Sequence, residues 1–380
     1  MSLEGEIVVR LAWDGHRVQQ ARVASTRPLE AARVLIGKTP AEAVATVPLL
    51  FSICSGAQRA AAAHALASAG ASVDASTATD VVLEIVQEHF WRLLLDWPQT
   101  MGHGSDAASV AHVRRKIAAR RNAGDRSTRD ESRPPMHELV DALNTTAAQT
   151  IYGMLPAAWH ALRDADDLWA WVDAGATMPA RLLGVLFDTM PQLARSDVAL
   201  MPLPDREALM RAIVPALDRQ PEFSRAPTWE GSPVETGALA RMRSHALVAA
   251  AAARDGNSVA TRMVARLAEL ATLLQDLADA SVDERPASWV HSLTLVPGEG
   301  LGAVQTARGL LLHRVRLADG RVAHYQIIAP TEWNFHPEGA LVCGLRGLVT
   351  DDGAVLDRSA RLAVQALDPC VACTIEIGHA

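Results

Sequence analysis

The sequence has few cysteines, few aromatic residues and no excess of positive charge, and each shortage excludes a class of protein. Four cysteines among 380 residues cannot form the disulfide framework of a small secreted domain. A formal net charge of −7 gives no electrostatic reason to expect nucleic-acid binding. No stretch reaches the roughly 18 uninterrupted apolar residues of a membrane span. Because the N-terminus also lacks the basic and apolar regions of a secretory signal, we expect a reduced, cytoplasmic protein.

What the chain does contain is alanine and a large apolar fraction. Hydrophobic residues make up 49% of the sequence and aromatic residues only 4%, so a large core built mainly from helices is expected. Asp14-Gly15 and Asp319-Gly320 each lie between alternating apolar and polar residues, a pattern that predicts two β-hairpins. Apolar residues at helical spacing predict a long helix over 77–95 and helices through most of 136–281.

The chain is therefore predicted to form small sheets near its two ends and to be helical through most of its length. Its expected parts are an N-terminal sheet with the Cys54 region (1–98), a charged mobile segment (104–135), a helical region (136–285) and a C-terminal sheet with the last cysteines (286–380).

The chemistry of the chain is concentrated in cysteines at its two ends. Cys370 and Cys373 form a Cys-x-x-Cys turn, which we expect to aim two thiols at one point. Thiolates are soft ligands that select nickel, copper, zinc or iron over magnesium and calcium. Any further ligand must come from far back in the chain, and Cys54 is the one cysteine in its first half.

Several motifs around these cysteines occur in a familiar order. They are Leu3-Glu4-Gly5-Glu6, Ile53-Cys54-Ser55-Gly56-Ala57, Ala307-Arg308-Gly309, Tyr325-Gln326, Pro330-Thr331-Glu332-Trp333-Asn334 and Asp368-Pro369-Cys370-Val371-Ala372-Cys373. The chain therefore resembles the large subunits of nickel–iron hydrogenases over residues 3–98 and 297–373. The resemblance implies one α+β domain over residues 1–380, predominantly helical, in which a helical bundle has small flanking sheets and both ends of the chain meet in the core.

The resemblance also implies roles for individual residues. Cys54, Cys370 and Cys373 match three of the four thiolates that hold nickel, but Ala57 stands where the fourth cysteine belongs. A methyl group cannot bind a metal, so we expect no stable nickel centre and no hydrogen turnover. Three further matches are outer residues of the site: Arg308 over the metals, Thr331 as a donor to cyanide, and Asp368 as the carboxylate that orients Arg308.

Two further departures indicate the maturation-protein branch of this family, the HupK/HoxV type, rather than a catalytic subunit. Glu376 stands where the resemblance implies a histidine after the last cysteine, and we expect no cleavable tail beyond Ala380. We therefore expect a non-catalytic scaffold or chaperone that transiently holds the Fe(CN)2(CO) fragment. Its partners would be hydrogenase maturation proteins or the immature large subunit. The alternatives are a chaperone that binds no metal and an unusual active hydrogenase.

The cysteines also allow simpler interpretations. Cys370 and Cys373 can form a redox dithiol, because Cys-x-x-Cys turns lower thiol pKa values. Together with Cys54 and His379 they can form a structural Cys₃His zinc site. The fourth cysteine, Cys343, lies in an apolar segment and is expected to be a small buried residue.

Overall fold

A computed structural model describes residues 5–27, 29–51, 53–74, 78–122, 134–220, 222–279 and 289–380. The chain divides into two compact units. Unit 1 comprises Met1–Glu84, Ser196–Arg241 and Pro286–Ala380, and unit 2 comprises Ile85–Arg195 and Met242–Arg285. The single domain expected over 1–380 stays a prediction. Glu4, part of the motif nearest the N-terminus, lies outside the described residues, as does most of the second half of the charged segment 104–135.

Unit 1 contains the strands, arranged in three small sheets. The strands are β1 (Glu6–Trp13), β2 (Val18–Ser25), β3 (Ala199–Leu200), β4 (Val234–Glu235), β5 (Val290–Val296), β6 (Glu299–Thr306), β7 (Gly309–Ala318), β8 (Arg321–Ile328) and β9 (Ala372–His379). The sheet orders are β2-β1-β9, β3-β4 and β5-β6-β7-β8. Both hairpins predicted from Asp-Gly are confirmed, as β1–β2 and β7–β8.

Helices account for most of the remaining structure. They are α1 (Pro40–Leu50), α2 (Ser55–Ser68), α3 (Ala78–Trp91), α4 (Trp97–Thr100), α5 (Ala107–Asn122), α6 (Met136–Ala147), α7 (Pro156–His160), α8 (Ala165–Ala174), α9 (Met178–Thr189), α10 (Arg206–Ala212), α11 (Val214–Arg219), α12 (Ala238–Met242), α13 (Ala246–Asp255), α14 (Val259–Asp279), α15 (Pro330–Asn334), α16 (Ala340–Leu345) and α17 (Gly353–Leu367). The predicted α+β class with small sheets is confirmed. No helix in the described ranges is long and apolar enough to cross a membrane.

The helix predicted over 77–95 is present but not uniform. It is α-helical over Ala78–Trp91 and then widens into a π-helical turn over Arg92–Asp96. In unit 2 the helix α14 is buried on nearly all sides, including its charged residues Arg262, Arg266 and Glu269. Glu269 lies 2.7 Å from the Nε2 atom of the buried His89, so the interior of this unit contains paired polar groups.

Small residues let α2 lie directly on strand β6. The buried face of α2 is rich in alanine, and it meets two glycines of β6. A Cβ atom at Gly300 would come within 2.2 Å of the carbonyl oxygen of Ala65, and one at Gly302 within 2.2 Å of that of Ala61. Because any side chain there would collide with the helix backbone, these glycines fix the position of α2 and of Cys54 at its N-terminus.

The two ends of the chain are joined by β9, a strand that the sequence patterns did not predict. Strand β9 pairs in parallel with β1, so that Ile7 lies opposite Cys373 and Trp13 lies opposite His379. Helix α17 runs from Gly353 to Leu367 and ends directly before the segment with Cys370. Cys370 therefore lies between a helix and a strand, and Cys373 is the second residue of that strand.

Candidate functional site

Cys54 lies at the start of helix α2, in the position that precedes the first helical residue. Its side chain is buried, and the first backbone amides of α2 are satisfied by a residue distant in sequence. The carboxylate of Glu84 accepts hydrogen bonds from the backbone nitrogens of Gly56 at 2.7 Å and Ala57 at 3.1 Å. A buried carboxylate is thus held against the positive end of the helix dipole, next to Cys54.

Cys370 is positioned by the end of helix α17. Asp368 takes a left-handed conformation (φ 55°) and Pro369 prevents the helix from continuing, so the chain turns sharply before Cys370. The hydroxyl of Thr331 lies 3.0 Å from the Cys370 sulfur and accepts a hydrogen bond from the Cys370 backbone nitrogen at 3.2 Å. Thr331 therefore fixes both the backbone and the thiol of Cys370.

The buried residues Cys54 and Cys370 line one cavity, which we name the thiol cavity. Arg27, Phe51, Ile53 and Val371 form the rest of its lining. Its volume is about 10 Å³, which is close to the smallest space that holds one water molecule. The structure thus brings together thiols that are more than three hundred residues apart in sequence.

The surroundings of Cys54 oppose a free thiolate at this residue. Burial raises the pKa of Cys54 well above its usual range, and Cys370 and Glu84 raise it further, whereas Arg308 and Gln58 lower it. A buried thiolate needs a cation or a metal to be stable. The cavity therefore favours the neutral thiol of Cys54, and a sulfur–metal bond can replace the proton when a soft metal enters.

Arg308 and Asp368 form a buried ion pair, as predicted, with 3.3 Å between Nε and Oδ1. The backbone around them is held by Asn334, whose side chain donates to the carbonyl oxygens of Arg308 and Leu367 and accepts from the nitrogen of Thr236. Three chain segments thus meet at one buried amide. The role of Arg308, Thr331 and Asp368 in binding a cofactor stays a prediction.

A chain of buried hydrogen bonds leads from strand β8 to the Cys54 sulfur. The hydroxyl of Tyr325 lies 2.8 Å from Nδ1 of His313, whose Nε2 lies 2.8 Å from Oε1 of Gln58. The Gln58 amide nitrogen then donates to the Cys54 sulfur at 3.6 Å. Since an amide oxygen only accepts, His313 carries its proton on Nε2 and Tyr325 donates to Nδ1. Because His313 donates to the oxygen of the Gln58 amide, the nitrogen of that amide faces the Cys54 sulfur as an N–H donor.

The neutral state of His313 gives a pH-dependent stability that can be measured. Burial lowers the pKa of His313 to about 3, from 6.5 in an exposed histidine. At pH values between these two pKa values, His313 is protonated in the unfolded chain and neutral in the folded chain. The free energy of unfolding therefore falls as the pH decreases from 6.5 towards 3. Between pH 6 and 4, the free energy of unfolding of the wild type should therefore fall by about 1.4 kcal/mol per pH unit more steeply than that of the H313Q variant. Urea denaturation at a series of pH values measures both slopes. Equal slopes in both proteins would show that His313 titrates normally.

Cys373 is not brought into the thiol cavity. It lies on β9, where burial raises its pKa to about 11, Arg361 lowers the value and Glu6 raises it. A raised pKa does not favour the redox-dithiol interpretation. The expectation that the Cys-x-x-Cys turn aims both thiols at one point stays a prediction: Cys370 lines the thiol cavity, whereas Cys373 lies on β9 and is not among the lining residues. The predicted ligand role of Cys373 stays open to test.

The zinc site suggested for Cys54, Cys370, Cys373 and His379 is not formed. Cys373 and His379 lie near opposite ends of β9, about 20 Å apart for six residues of extended strand. One zinc ion cannot bind both, since its ligands lie within about 2.3 Å. Within the described ranges, no group of three or more histidine, cysteine or acidic side chains is placed to hold a metal ion.

Sequence analysis did not identify Arg27, Glu84, Gln58 or His313 as parts of the site. No local pattern marks them, because each reaches the cysteines only through the tertiary fold. The one available signal was proximity in sequence, since His313 follows the Ala307-Arg308-Gly309 motif by four residues, at the end of the continuously buried first part of β7. The prediction that Cys343 is buried is wrong: its side chain is exposed, with the sulfur 3.7 Å from the carbonyl oxygen of Glu338.

Comparisons with known proteins bear on this arrangement. The family described as nickel-dependent hydrogenase matches residues 215–376. The hydrogenase expression/formation protein HoxV of Cupriavidus necator is 31% identical over 382 residues, covering 94% of this chain and 93% of that protein. The hydrogenase expression/formation protein HupV of Azotobacter chroococcum is 33% identical, covering 93% of each chain.

A solved structure agrees with the expected fold. A variant of the NiFeSe hydrogenase from Desulfovibrio vulgaris Hildenborough superposes with a TM-score of 0.55 at 18% identity, covering 97% of this chain and 99% of that chain. The predicted hydrogenase large-subunit-like fold is therefore confirmed.

Proposed function

This chain belongs to the hydrogenase expression/formation proteins of the HupK/HoxV type, and from that membership we propose that it acts in nickel–iron hydrogenase maturation. Its finer role is that of a non-catalytic scaffold that holds the Fe(CN)2(CO) fragment transiently and passes it on. The partners are other maturation proteins or the immature large subunit, and the compartment is the cytoplasm.

One observation carries this proposal: two buried thiols, Cys54 and Cys370, face the same cavity. Thiolate sulfur is a suitable ligand for iron. Hydrogen-bond donors that can also bind cyanide nitrogen lie around the two cysteines. Thr331 contacts the Cys370 sulfur at 3.0 Å and Gln58 donates to the Cys54 sulfur at 3.6 Å. The Arg308 guanidinium, oriented by Asp368, interacts electrostatically with Cys54. Two sulfur ligands form a weaker site than four, which suits a fragment that must be released.

The same residues do not fit a complete nickel–iron centre. Such a centre needs four thiolates, but Ala57 contributes a methyl group and Cys373 lies outside the lining of the thiol cavity. The backbone nitrogen of Ala57 is bonded to Glu84, so the position of the missing sulfur is next to a carboxylate. The residues present therefore do not fit a nickel–iron centre, and among the described residues no set of three or more ligands is placed to hold zinc.

The test is to purify the protein anaerobically from a host that makes hydrogenase and to record its infrared spectrum in the cyanide and carbonyl stretching regions. Iron and nickel are counted on the same sample. We expect both kinds of band, with iron and without nickel. A protein that shows no bands and no iron, although the host assembles active hydrogenase, would contradict iron holding.

The small volume of the thiol cavity favours a second candidate function. About 10 Å³ holds roughly one water molecule, so a metal fragment enters only if side chains move. If they do not move, the protein acts as a chaperone through its large-subunit-like surface and binds no metal. The same spectrum separates the two functions. A hydrogen-uptake assay with a dye acceptor tests the remaining alternative, an active hydrogenase.

A further inference from the structure

Arg27 lies where two cavities meet. It lines the thiol cavity together with Cys54 and Cys370, and it also lines a neighbouring space of about 30 Å³, which we name the outer cavity. Phe51 lines both cavities as well, while Ser224 and Glu332 line only the outer one. Arg27 and Phe51 are thus the side chains between the thiols and the outer cavity.

The environment of Arg27 is unusual for an arginine. Its side chain is 9% exposed, and Nη1 donates to Oε1 of Glu332 at 3.1 Å, the one hydrogen bond of this side chain among the described residues. The guanidinium also interacts electrostatically with Cys370 and Cys54. A guanidinium has five N–H donors, so the bond to Glu332 leaves donors for a second acceptor on the side of the thiols. Burying an ion pair adds little stability by itself, which points to a use for the charge.

The volumes of the two cavities indicate what the charge of Arg27 can bind. The thiol cavity has room for about one water molecule, so an iron atom between the sulfurs leaves no space for its diatomic ligands. The outer cavity is the larger neighbouring space, and Arg27 lies at its junction with the thiol cavity. A ligand that projects from the iron into the outer cavity must pass the guanidinium.

We propose that Arg27 receives the cyanide ligands of the iron fragment, with the outer cavity as the space that they occupy. Cyanide carries negative charge and its nitrogen accepts hydrogen bonds, which matches a planar, permanently charged donor. Arg27 then shares its donors between Glu332 and cyanide. This inference rests on the proposed function, because it identifies which part of the cargo the residue recognises.

The experiment compares four variants loaded in the same host. R27Q removes the donor fork, E332Q removes its ion-pair partner, R27Q/E332Q removes both charges, and R10Q removes an exposed arginine that pairs with Glu376 at 2.7 Å. Iron per chain and the infrared bands are measured. We expect R27Q and R27Q/E332Q to retain about ten- to a hundredfold less iron, the effect of losing a hydrogen bond to a charged group. Their remaining cyanide bands should shift more than the carbonyl band.

The comparison of E332Q with R27Q separates recognition from structure. If the ion pair only stabilises the fold, both variants should lose iron equally, in parallel with their melting temperatures. If Arg27 binds cyanide, E332Q should retain iron as well as R10Q does, because the guanidinium remains. The double variant R27Q/E332Q controls for destabilisation of the fold, because it leaves no buried charge without its partner. Wild-type iron content and band positions in R27Q would overturn the proposal.

A metal-free experiment distinguishes this inference from the proposed function. Carbon-13-labelled cyanide is titrated into the protein as purified without iron, and its NMR line width is followed. We expect saturable broadening with the wild type and R10Q and none with R27Q/E332Q. If no variant binds iron but this difference is found, iron holding is wrong and the Arg27 site stands. If broadening is the same in all variants, the Arg27 site is wrong, whatever the iron content.

Discussion

Replacing Cys54 or Cys370 with alanine is expected to abolish the cyanide and carbonyl bands of the purified protein. These two cysteines line the thiol cavity, and each contributes one of the two sulfurs available there. Loss of a residue that merely orients a metal ligand costs about 10–100-fold in affinity, so loss of one of two ligands should cost at least as much. Iron per chain should fall by the same factor, as measured by metal analysis of anaerobic samples.

The other two cysteines give matched controls for this experiment. C343A changes an exposed thiol and should retain the iron content of the wild type. C373A is the informative case, since the resemblance implies a ligand whereas the structure places this thiol near Arg361 and Glu6. From that position we expect C373A to retain its bands. Loss of the bands in C373A would mean that the loaded protein draws Cys373 into the cavity, and unchanged bands in C54A or C370A would contradict the site itself.

The second large effect is expected at Glu84. Its buried carboxylate accepts from two backbone nitrogens at the start of α2, and E84A leaves both buried donors without this acceptor. Hydrogen bonds to a charged group contribute about 1.5–3 kcal/mol each, and the losses at neighbouring amides are not fully additive. We expect the free energy of unfolding to fall by about 3 kcal/mol in E84A, measured by urea denaturation.

Two comparisons make the Glu84 prediction specific. E84Q keeps one acceptor oxygen but turns the other acceptor into a donor, so it should lose part of the stability and not all of it. E376A removes an exposed carboxylate that pairs with Arg10 and should change stability by less than about 1 kcal/mol. Native-state alkylation of Cys54 should become faster in E84A, because the start of α2 loosens. Equal stability of E84A and E376A would show that water replaces the carboxylate.

Local sequence patterns were sufficient for the hairpins and most helices. Asp14-Gly15 and Asp319-Gly320 each connect two strands in which apolar and polar residues alternate. The turn signal and the strand signal lie next to each other in the sequence, so a local pattern is enough to predict each hairpin. The order of motifs at the two ends was sufficient for the fold and the family. The same local reasoning was wrong at Cys343, whose apolar neighbours predicted burial although its position in the short helix α16 leaves it exposed.

What the sequence determined by itself, then, was which residue types are present: soft thiol ligands, one position without its sulfur, and a family of proteins with this order of motifs. The tertiary structure alone decided which of them meet. Pairing of β9 with β1 and packing of α2 on the glycines of β6 bring Cys54 and Cys370 to one cavity. Arg27, Glu84 and His313 reach the site from separate elements, and no local pattern encodes such contacts. Their distances and burial depend on the packing of the whole unit, and that packing sets the charge and the space around the two sulfurs.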